Sequence, residues 1–187
     1  QISINGESIP EARLEALMAD YQSLLEGESA TNLQGTTEFE IITAIAYDYF
    51  ASEQVDVAIM EVGMGGLLDS TNVCQPILTG ITTIGLDHVA LLGDTLEAIA
   101  EQKAGIIKHG TALVLESQEK EAMDVLNKAA ERADIKTTKV VKLDEIRILP
   151  QKDGKQCFSY AGYDAVTMKM LGVHQYENAV AAMLAAE

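Results

Sequence analysis

Two residues of types that bind divalent cations stand at the ends of apolar runs in this sequence. Glu61 closes the run Val55-Asp56-Val57-Ala58-Ile59-Met60, and His88 comes shortly after the run Ile77 to Ile84. Both runs read as strands, and in an open parallel sheet ligands bind beyond the carboxyl ends of the strands. A carboxylate and an imidazole reaching into one crevice can share a divalent ion. The pattern leaves plainer roles open. A Glu at a strand end also serves as a helix cap or a surface charge, and a lone His as a hydrogen-bonded core residue.

Lys103 is a third candidate, late in the amphipathic stretch Glu101-Gln102-Lys103-Ala104-Gly105-Ile106-Ile107-Lys108. A solvated lysine near a helix C-terminus accounts for it equally well. Gln175 and Asn178 open the last helical run, three positions apart and therefore on one helical face. Their amides suit a flat hydrogen-bonding ligand such as a base, and they suit ordinary helix capping too. No GxxxxGK[ST] phosphate loop, GxGxxG, HExxH, CxxC or GxSxG occurs, and the turn Gly63-Met64-Gly65-Gly66 is short and lacks a lysine.

The elements that must hold these residues follow from periodicity. Ile9-Pro10-Glu11-Ala12 starts a helix that carries Leu14, Leu17, Met18, Tyr21 and Leu25. Glu26 to Gly35 reads as a loop, and Thr36 or Thr37 caps a second helix bearing Phe39, Ile42, Ile45, Tyr47 and Phe50. The nearly continuous apolarity of Val55 to Val62 predicts a strand buried on both faces. Strand Ile77 to Ile84, a helix from about Thr95 to Ile107, strand Ala112 to Leu115, a helix from about Lys120 to Arg132 and a short strand at Val140-Val141 follow. That alternation predicts an α/β fold with a mostly parallel sheet flanked by helices. Lys152-Asp153-Gly154-Lys155 reads as a hairpin turn between Ile146-Leu149 and Cys157-Tyr160, with a further strand at Val166 to Met170. The expected organisation is thus an α/β core over 1–143, a small antiparallel β extension over 144–171, and a returning helix over 172–187.

Composition narrows the function. Of 187 residues, 13 are Lys or Arg and 29 are Asp or Glu, a formal net charge of −16. Such a field opposes nucleic acid and anionic membranes as partners. The 48% apolar content supplies a sizeable core, and no apolar run approaches the roughly 20 residues of a membrane span. Cys74 and Cys157 lack any paired spacing and read as reduced thiols of a cytoplasmic protein. The chain opens without Met or a leader and stops within a helical run, which leads to the expectation that it is a piece of a longer protein.

Three segments together carry a resemblance: EVGMGGLLDSTNV (61–73), TTIGLDHVALLGDTLEAIAEQKAGIIK (82–108) and GVHQYENAVAA (172–182). In this order they resemble the folylpolyglutamate synthase and dihydrofolate synthase family of the Mur ligase superfamily, with TTEFEIITAIAYDYFA (36–51) matching the helix before the Glu-bearing strand. The resemblance implies the central ATP-binding domain of an ATP-dependent amide ligase. Such an enzyme passes the γ-phosphoryl group to a folate carboxylate, and the amine of L-glutamate attacks the acyl phosphate. By this resemblance Glu61 and His88 match magnesium ligands, and Lys103 matches a lysine that becomes carbamylated. Gln175 and Asn178 match a pair that contacts adenine, and Asp69 and Asn72 lie where substrate approaches.

Leu67 departs from the family pattern, where Arg is common, so an anion contact by that side chain is lost. The family's GTNGKGS phosphate loop is expected upstream of Gln1, and a glutamate-binding domain after Glu187. The implied cofactor is Mg²⁺, with ATP as substrate, and the implied partners are ATP, folate and L-glutamate in a cytoplasmic, monomeric parent. The 187 residues alone are expected to be inactive. Two other readings stand beside this one: a Mur-type ligase acting on a UDP-linked muramyl substrate, and a non-catalytic binding module.

Overall fold

The computed structural model describes residues 2–26, 33 and 35–187. The loop expected over Glu26 to Gly35 therefore lies outside the described residues, apart from Glu26, Leu33 and Gly35. By backbone contact the chain divides into two units, Gln1–Gly63 and Met64–Glu187.

The first unit opens with a hairpin of β1 (Ser3–Ile4) and β2 (Glu7–Ser8), in register Ser3↔Ser8. Its turn, Asn5-Gly6, takes positive φ at both positions, the backbone that two-residue hairpins need. Pro10 leads into α1 (Glu11–Glu26), its carbonyl accepting from Leu14 N–H at 3.0 Å. Thr37 caps α2 (Glu38–Ser52) through a reciprocal pair: Glu40 N–H donates to Thr37 Oγ1 at 3.2 Å, and Thr37 N–H donates to Glu40 Oε2 at 2.7 Å. Leu17 of α1 buries against Ile45, Ala46 and Tyr49 of α2, with Ile2 closing the cluster. Tyr21 donates to Asp48 Oδ2 at 2.8 Å, tying the two helices at their edge.

One expected element of this unit does not form. Residues 55–62 carry no regular secondary structure and pair with no strand among the described residues. Val57 is 65% exposed and Ile59 91% exposed, where burial on both faces was expected. Apolar, β-branched residues record a preference for burial, but a strand also needs a neighbour for its N–H and C=O groups.

The second unit holds the parallel sheet β3-β4-β5, made of β3 (Leu78–Ile81), β4 (Ala112–Leu115) and β5 (Thr137–Val140). Registers run from Leu78↔Ala112 to Ile81↔Leu115 and from Ala112↔Thr137 to Leu115↔Val140. A short helix α3 (Val89–Leu92), absent from the sequence expectation, precedes α4 (Leu96–Ala104), and α5 (Lys120–Arg132) joins β4 to β5. Thr95 caps α4, accepting from Ala98 N–H at 3.2 Å. Ile99 and Ala100 of α4, Ala122 and Leu126 of α5, and Leu113 and Leu115 of β4 are fully buried together.

The antiparallel extension is β6 (Arg147–Lys152), β7 (Lys155–Tyr160) and β8 (Tyr163–Met168), paired in that order. Helix α6 (His174–Ala186) buries Tyr176 and Val180 against Phe158, Tyr160 and Val141, the Phe158 and Tyr176 rings meeting edge to face at 5.6 Å. It also lies along β3 and β4, so its first turn stands near the carboxyl ends of those strands.

Candidate active site

Three structures in the second unit carry the polar side chains of interest, two at the carboxyl ends of β3 and β4 and one beside the last turn of α4. The first is the loop between Met64 and Val73, fastened to the last turn of α4. Leu67 N–H donates to Gln102 C=O at 2.8 Å, and the Asn72 amide donates to the carbonyls of Leu67 and Gly105, each at 3.1 Å. Two glycines make this approach possible. A Cβ on Gly66 would stand 2.8 Å from Gln102 O, and one on Gly105 would stand 2.4 Å from Leu67 Cα. Asp69 caps the single 3₁₀ turn Ser70–Val73: Oδ1 accepts from Thr71 N–H at 2.9 Å and from its hydroxyl, and Oδ2 accepts from Met64 N–H at 3.0 Å. Asp69 and Asn72 thus shape the loop with their side chains.

Lys103 sits in the last turn of α4, where a cation favours the helix dipole. Its side chain is half-buried and has no hydrogen bond or ion pair among the described residues. An amine held this way is available for chemistry that a paired one would resist. Its carbonyl lies under Gly66, so the loop and the lysine are held as one piece.

The second structure is the exit from β3. His88 takes left-handed backbone angles, φ 50° and ψ 35°, at the N-cap of α3. Such a conformation is uncommon for a side-chain-bearing residue and is worth a functional explanation. Asp87 turns back on it: Oδ1 accepts from His88 N–H at 2.7 Å, and Oδ2 stands 3.7 Å from Nε2. Both side chains are open to solvent, His88 at 55%. An imidazole beside a carboxylate offers two donors of the kind a divalent cation accepts, and Mg²⁺ completes its shell with water and phosphate oxygens. Glu61, an exposed carboxylate of the first unit, is a donor of the same kind. Among the described residues no three His, Cys, Asp or Glu side chains gather as a ready-made metal cage.

The third structure joins the ends of β3 and β4 to α6. Glu116, the residue after β4, is 3% exposed, and its Oε2 accepts from Thr83 N–H at 2.7 Å and Thr83 Oγ1 at 3.1 Å. Gln118 Oε1 accepts from Ile84 N–H at 2.8 Å, while its amide donates to Thr82 C=O at 3.0 Å. Glu177, in the first turn of α6, accepts from Ser117 N–H at 2.7 Å. Gln175 and Asn178 are brought together, the Asn178 amide donating to Gln175 Oε1 at 3.2 Å, with Gln175 Nε2 3.1 Å from a His174 ring nitrogen.

Asp87, Thr83, Glu116, Gln118 and Glu177 were not singled out in the sequence. Asp87 lay beside His88 within the quoted segment 82–108. Glu116 carried the same signal as Glu61, an acidic residue directly after an apolar run. Cys74 and Cys157 are both free. No helix among the described residues is long and apolar enough to cross a membrane.

A three-stranded parallel sheet, with polar groups gathered at its carboxyl ends by the turn after β3 and a returning helix, and with a glycine-fastened loop set against the end of α4, is the frame of an α/β ligand-binding domain. Residues 15–186 match the Mur ligase middle domain, and the chain belongs to that family. Among characterised relatives, it is 40% identical over 197 residues to the dihydrofolate synthase/folylpolyglutamate synthase of Bacillus subtilis, covering 100% of this chain and 45% of the relative. It superposes on the apo form of the Lacticaseibacillus casei folylpolyglutamate synthase with a TM-score of 0.89 and 34% identity, covering 98% of this chain and 46% of that one. A folylpolyglutamate synthase complexed with AMPPCP and folate gives the same TM-score, 0.89, identity and coverage. The chain spans about half the length of the relatives it matches.

Proposed function

We propose that this chain is the central part of an ATP-dependent ligase that adds L-glutamate to a folate, as a folylpolyglutamate synthase, a dihydrofolate synthase or both. The observation that carries the reading is the likeness to a folylpolyglutamate synthase complexed with AMPPCP and folate, at a TM-score of 0.89 over 98% of this chain. The reaction forms an acyl phosphate from ATP and a folate carboxylate. The glutamate amine then attacks the acyl carbon, and phosphate leaves from the tetrahedral intermediate. Its physical demands are charge neutralisation, alignment and exclusion of water.

The residues divide these tasks. Gln175 and Asn178 present their amide face to the base of ATP. Asp69 and Asn72 hold the loop that borders the substrate's approach. Lys103, unpaired and half-buried, is the amine suited to carbamylation: its neutral Nζ attacks carbon dioxide and sheds a proton, turning a cation into a carboxylate-like group. Arginine has no amine that could do this. Magnesium, when bound, neutralises developing phosphate charge. Glu61 and His88 are its proposed ligands, with Asp87 beside His88 adding an oxygen donor or orienting the ring. The parent is read as a cytoplasmic monomer.

The test uses the full-length protein that contains these residues. Phosphate release that requires both L-glutamate and dihydropteroate or a reduced folate is the expected result. Turnover of a UDP-linked muramyl substrate alone would overturn the folate assignment, and ATP-independent behaviour throughout would favour a binding module.

A further inference from the structure

A cavity of about 230 Å³ lies between α6 and the strands β3 and β4. Glu116 and Asn178 face it, and the rest of its wall comes from backbone and small or apolar side chains, including Gly80, Val114, Ala181 and Ala185. Sites for drug-sized ligands run roughly 300–1,000 Å³, so this one suits a single flat ring system rather than a whole nucleotide. Two observations point to a ligand. Glu116 is 3% exposed, yet its Oε1 has no hydrogen-bond partner among the described residues. A buried carboxylate oxygen left without a donor is costly, so a native site that keeps one has a donor in mind for it. Gly80 stands in the middle of β3 with open space where a side chain would project. Glycine inside a strand marks a place where another group comes close to the backbone.

We propose that this cavity receives the purine of the nucleotide and that Glu116 decides which purine is accepted, its Oε1 taking a hydrogen bond from the exocyclic 6-amino group. The inference rests on the reading of the chain as part of an ATP-using ligase. The chemistry follows from what the cavity offers. Asn178 gives an amide hydrogen to Gln175 Oε1, and its side-chain carbonyl oxygen accepts no bond among the described residues, so that oxygen is open to a donor from a ligand. Glu116 Oε1 is likewise an acceptor. Two acceptors suit an amino group, which has two hydrogens to give. A 6-oxo purine puts a carbonyl lone pair at the same place, against a carboxylate. Glu116 is held for this task from behind, because Oε2 is fixed by the backbone and hydroxyl of Thr83.

The experiment compares kcat/KM for ATP, ITP and GTP in the full-length protein and in Glu116→Gln. ITP differs from ATP in having a carbonyl in place of the 6-amino group. The expected wild-type preference for ATP over ITP is about 10–100-fold, the range of a buried hydrogen bond to a charged acceptor. Glu116→Gln keeps an oxygen for Thr83 and turns an NH₂ donor to the cavity, so it should abolish or invert that preference. A merely structural role for Glu116 would change stability and leave the ratio alone. Gly80→Ala, which meets nothing within 4 Å in the chain, should fold normally and raise the KM for ATP several-fold by narrowing the cavity. An unchanged ATP-to-ITP ratio in a folded Glu116→Gln variant, or a wild type that prefers GTP or does not discriminate, overturns the proposal. Should the protein ligate nothing, the ligase reading fails on its own. Calorimetric binding of ATP against ITP to the same variants then decides the role of Glu116.

Discussion

Replacing Gly105 by alanine should weaken the protein, although local reasoning says the opposite. Gly105 has right-handed helical angles, φ −59° and ψ −16°, at the end of α4. Alanine there relieves the entropic cost of glycine, worth at most about 1 kcal/mol. Against this stands the contact with the loop. The added Cβ would lie 2.4 Å from Leu67 Cα and 2.5 Å from Leu67 Cβ. Restoring ordinary contact moves the loop by about 1 Å, and overpacking of this kind costs about 1–3 kcal/mol. The shift also strains the bond from Leu67 N–H to Gln102 and the two bonds of the Asn72 amide, at about 1 kcal/mol each. The cost outweighs the gain by about 3–5 kcal/mol.

In the full-length protein, for a folding unit of this size, at roughly 2–4 °C per kcal/mol, even the lower bound lowers Tm by about 6 °C. Activity should fall further than stability alone implies. Lys103 is two residues away, and a misplacement of about 1 Å near the chemistry can cost on the order of 100-fold in rate. Differential scanning calorimetry and steady-state kinetics read both effects. The second variant sharpens the test. Leu67→Ala should not rescue Gly105→Ala, because the nearest obstruction is a backbone atom. A melt equal to or above wild type in Gly105→Ala, or full rescue by Leu67→Ala, would refute the reasoning.

Other outcomes are expected in the same full-length protein. Glu61→Gln and His88→Ala should each cut turnover by orders of magnitude with the melt little changed, and wild-type rates in either would remove that residue as a magnesium ligand. Lys103→Arg should be inactive and should lose a carbamate carbon signal seen with ¹³C-bicarbonate in the wild type; retained activity argues against carbamylation. Thr37→Ala should cost about 1 kcal/mol by uncapping α2. The Thr37 backbone N–H first, and its hydroxyl second, hold the Glu40 carboxyl below its ordinary value. That stabilisation is present above the ordinary carboxylate range and is lost as pH falls through the lowered value. Thr37→Ala removes only the hydroxyl and keeps the backbone N–H, so it should make the acid limb of the stability profile shallower without abolishing it. Burial, with the Asp48 hydrogen bond second, pushes the Tyr21 hydroxyl from 10.0 up to about 12. Its contribution is complete below pH 10 and lost as pH rises towards about 12, and ultraviolet titration of Tyr21→Phe should lack a tyrosine that ionises near pH 12.

What the sequence disclosed depended on whether the signal was local. The bounds of β4 agree with expectation to the residue and those of α5 closely, since each is an unbroken periodic run between turns. The turn of the β6–β7 hairpin was legible because Asp153-Gly154 is a pair that tolerates positive φ, and both residues adopt it. Residues 55–62 show the limit: their composition states a wish for burial and is silent on which strand would grant it. Asp69 and Asn72 show another. Their residue types announce hydrogen bonding, but only the folded loop shows that Thr71, Met64, Leu67 and Gly105 take up those bonds. Glu116 was overlooked although its placement after β4 repeats that of Glu61 after an apolar run. The datum that distinguishes it, one oxygen paired and one free, exists only in three dimensions.

The charge of −16 is sharpened by where the acidic groups stand. Asp87, Glu116 and Glu177 all lie at or near the exits of β3 and β4, the region a nucleotide is proposed to occupy. Two of the three are engaged by donors from the chain: Glu116 by Thr83 and Glu177 by the Ser117 N–H. Neither is placed as a bare repulsive charge. Asp87 is different, since its carboxylate is 82% exposed beside an open imidazole. A polyanion approaching that edge is repelled unless it arrives with its own cation, whereas a metal-bound nucleotide is drawn to the same groups. On the proposed ligase reading, the acidity is compatible with ATP as a magnesium complex and would select against free ATP. Asp87→Asn should accordingly narrow the gap between the two: if rates at limiting magnesium fall as steeply in the variant as in wild type, the carboxylate has no part in that selection.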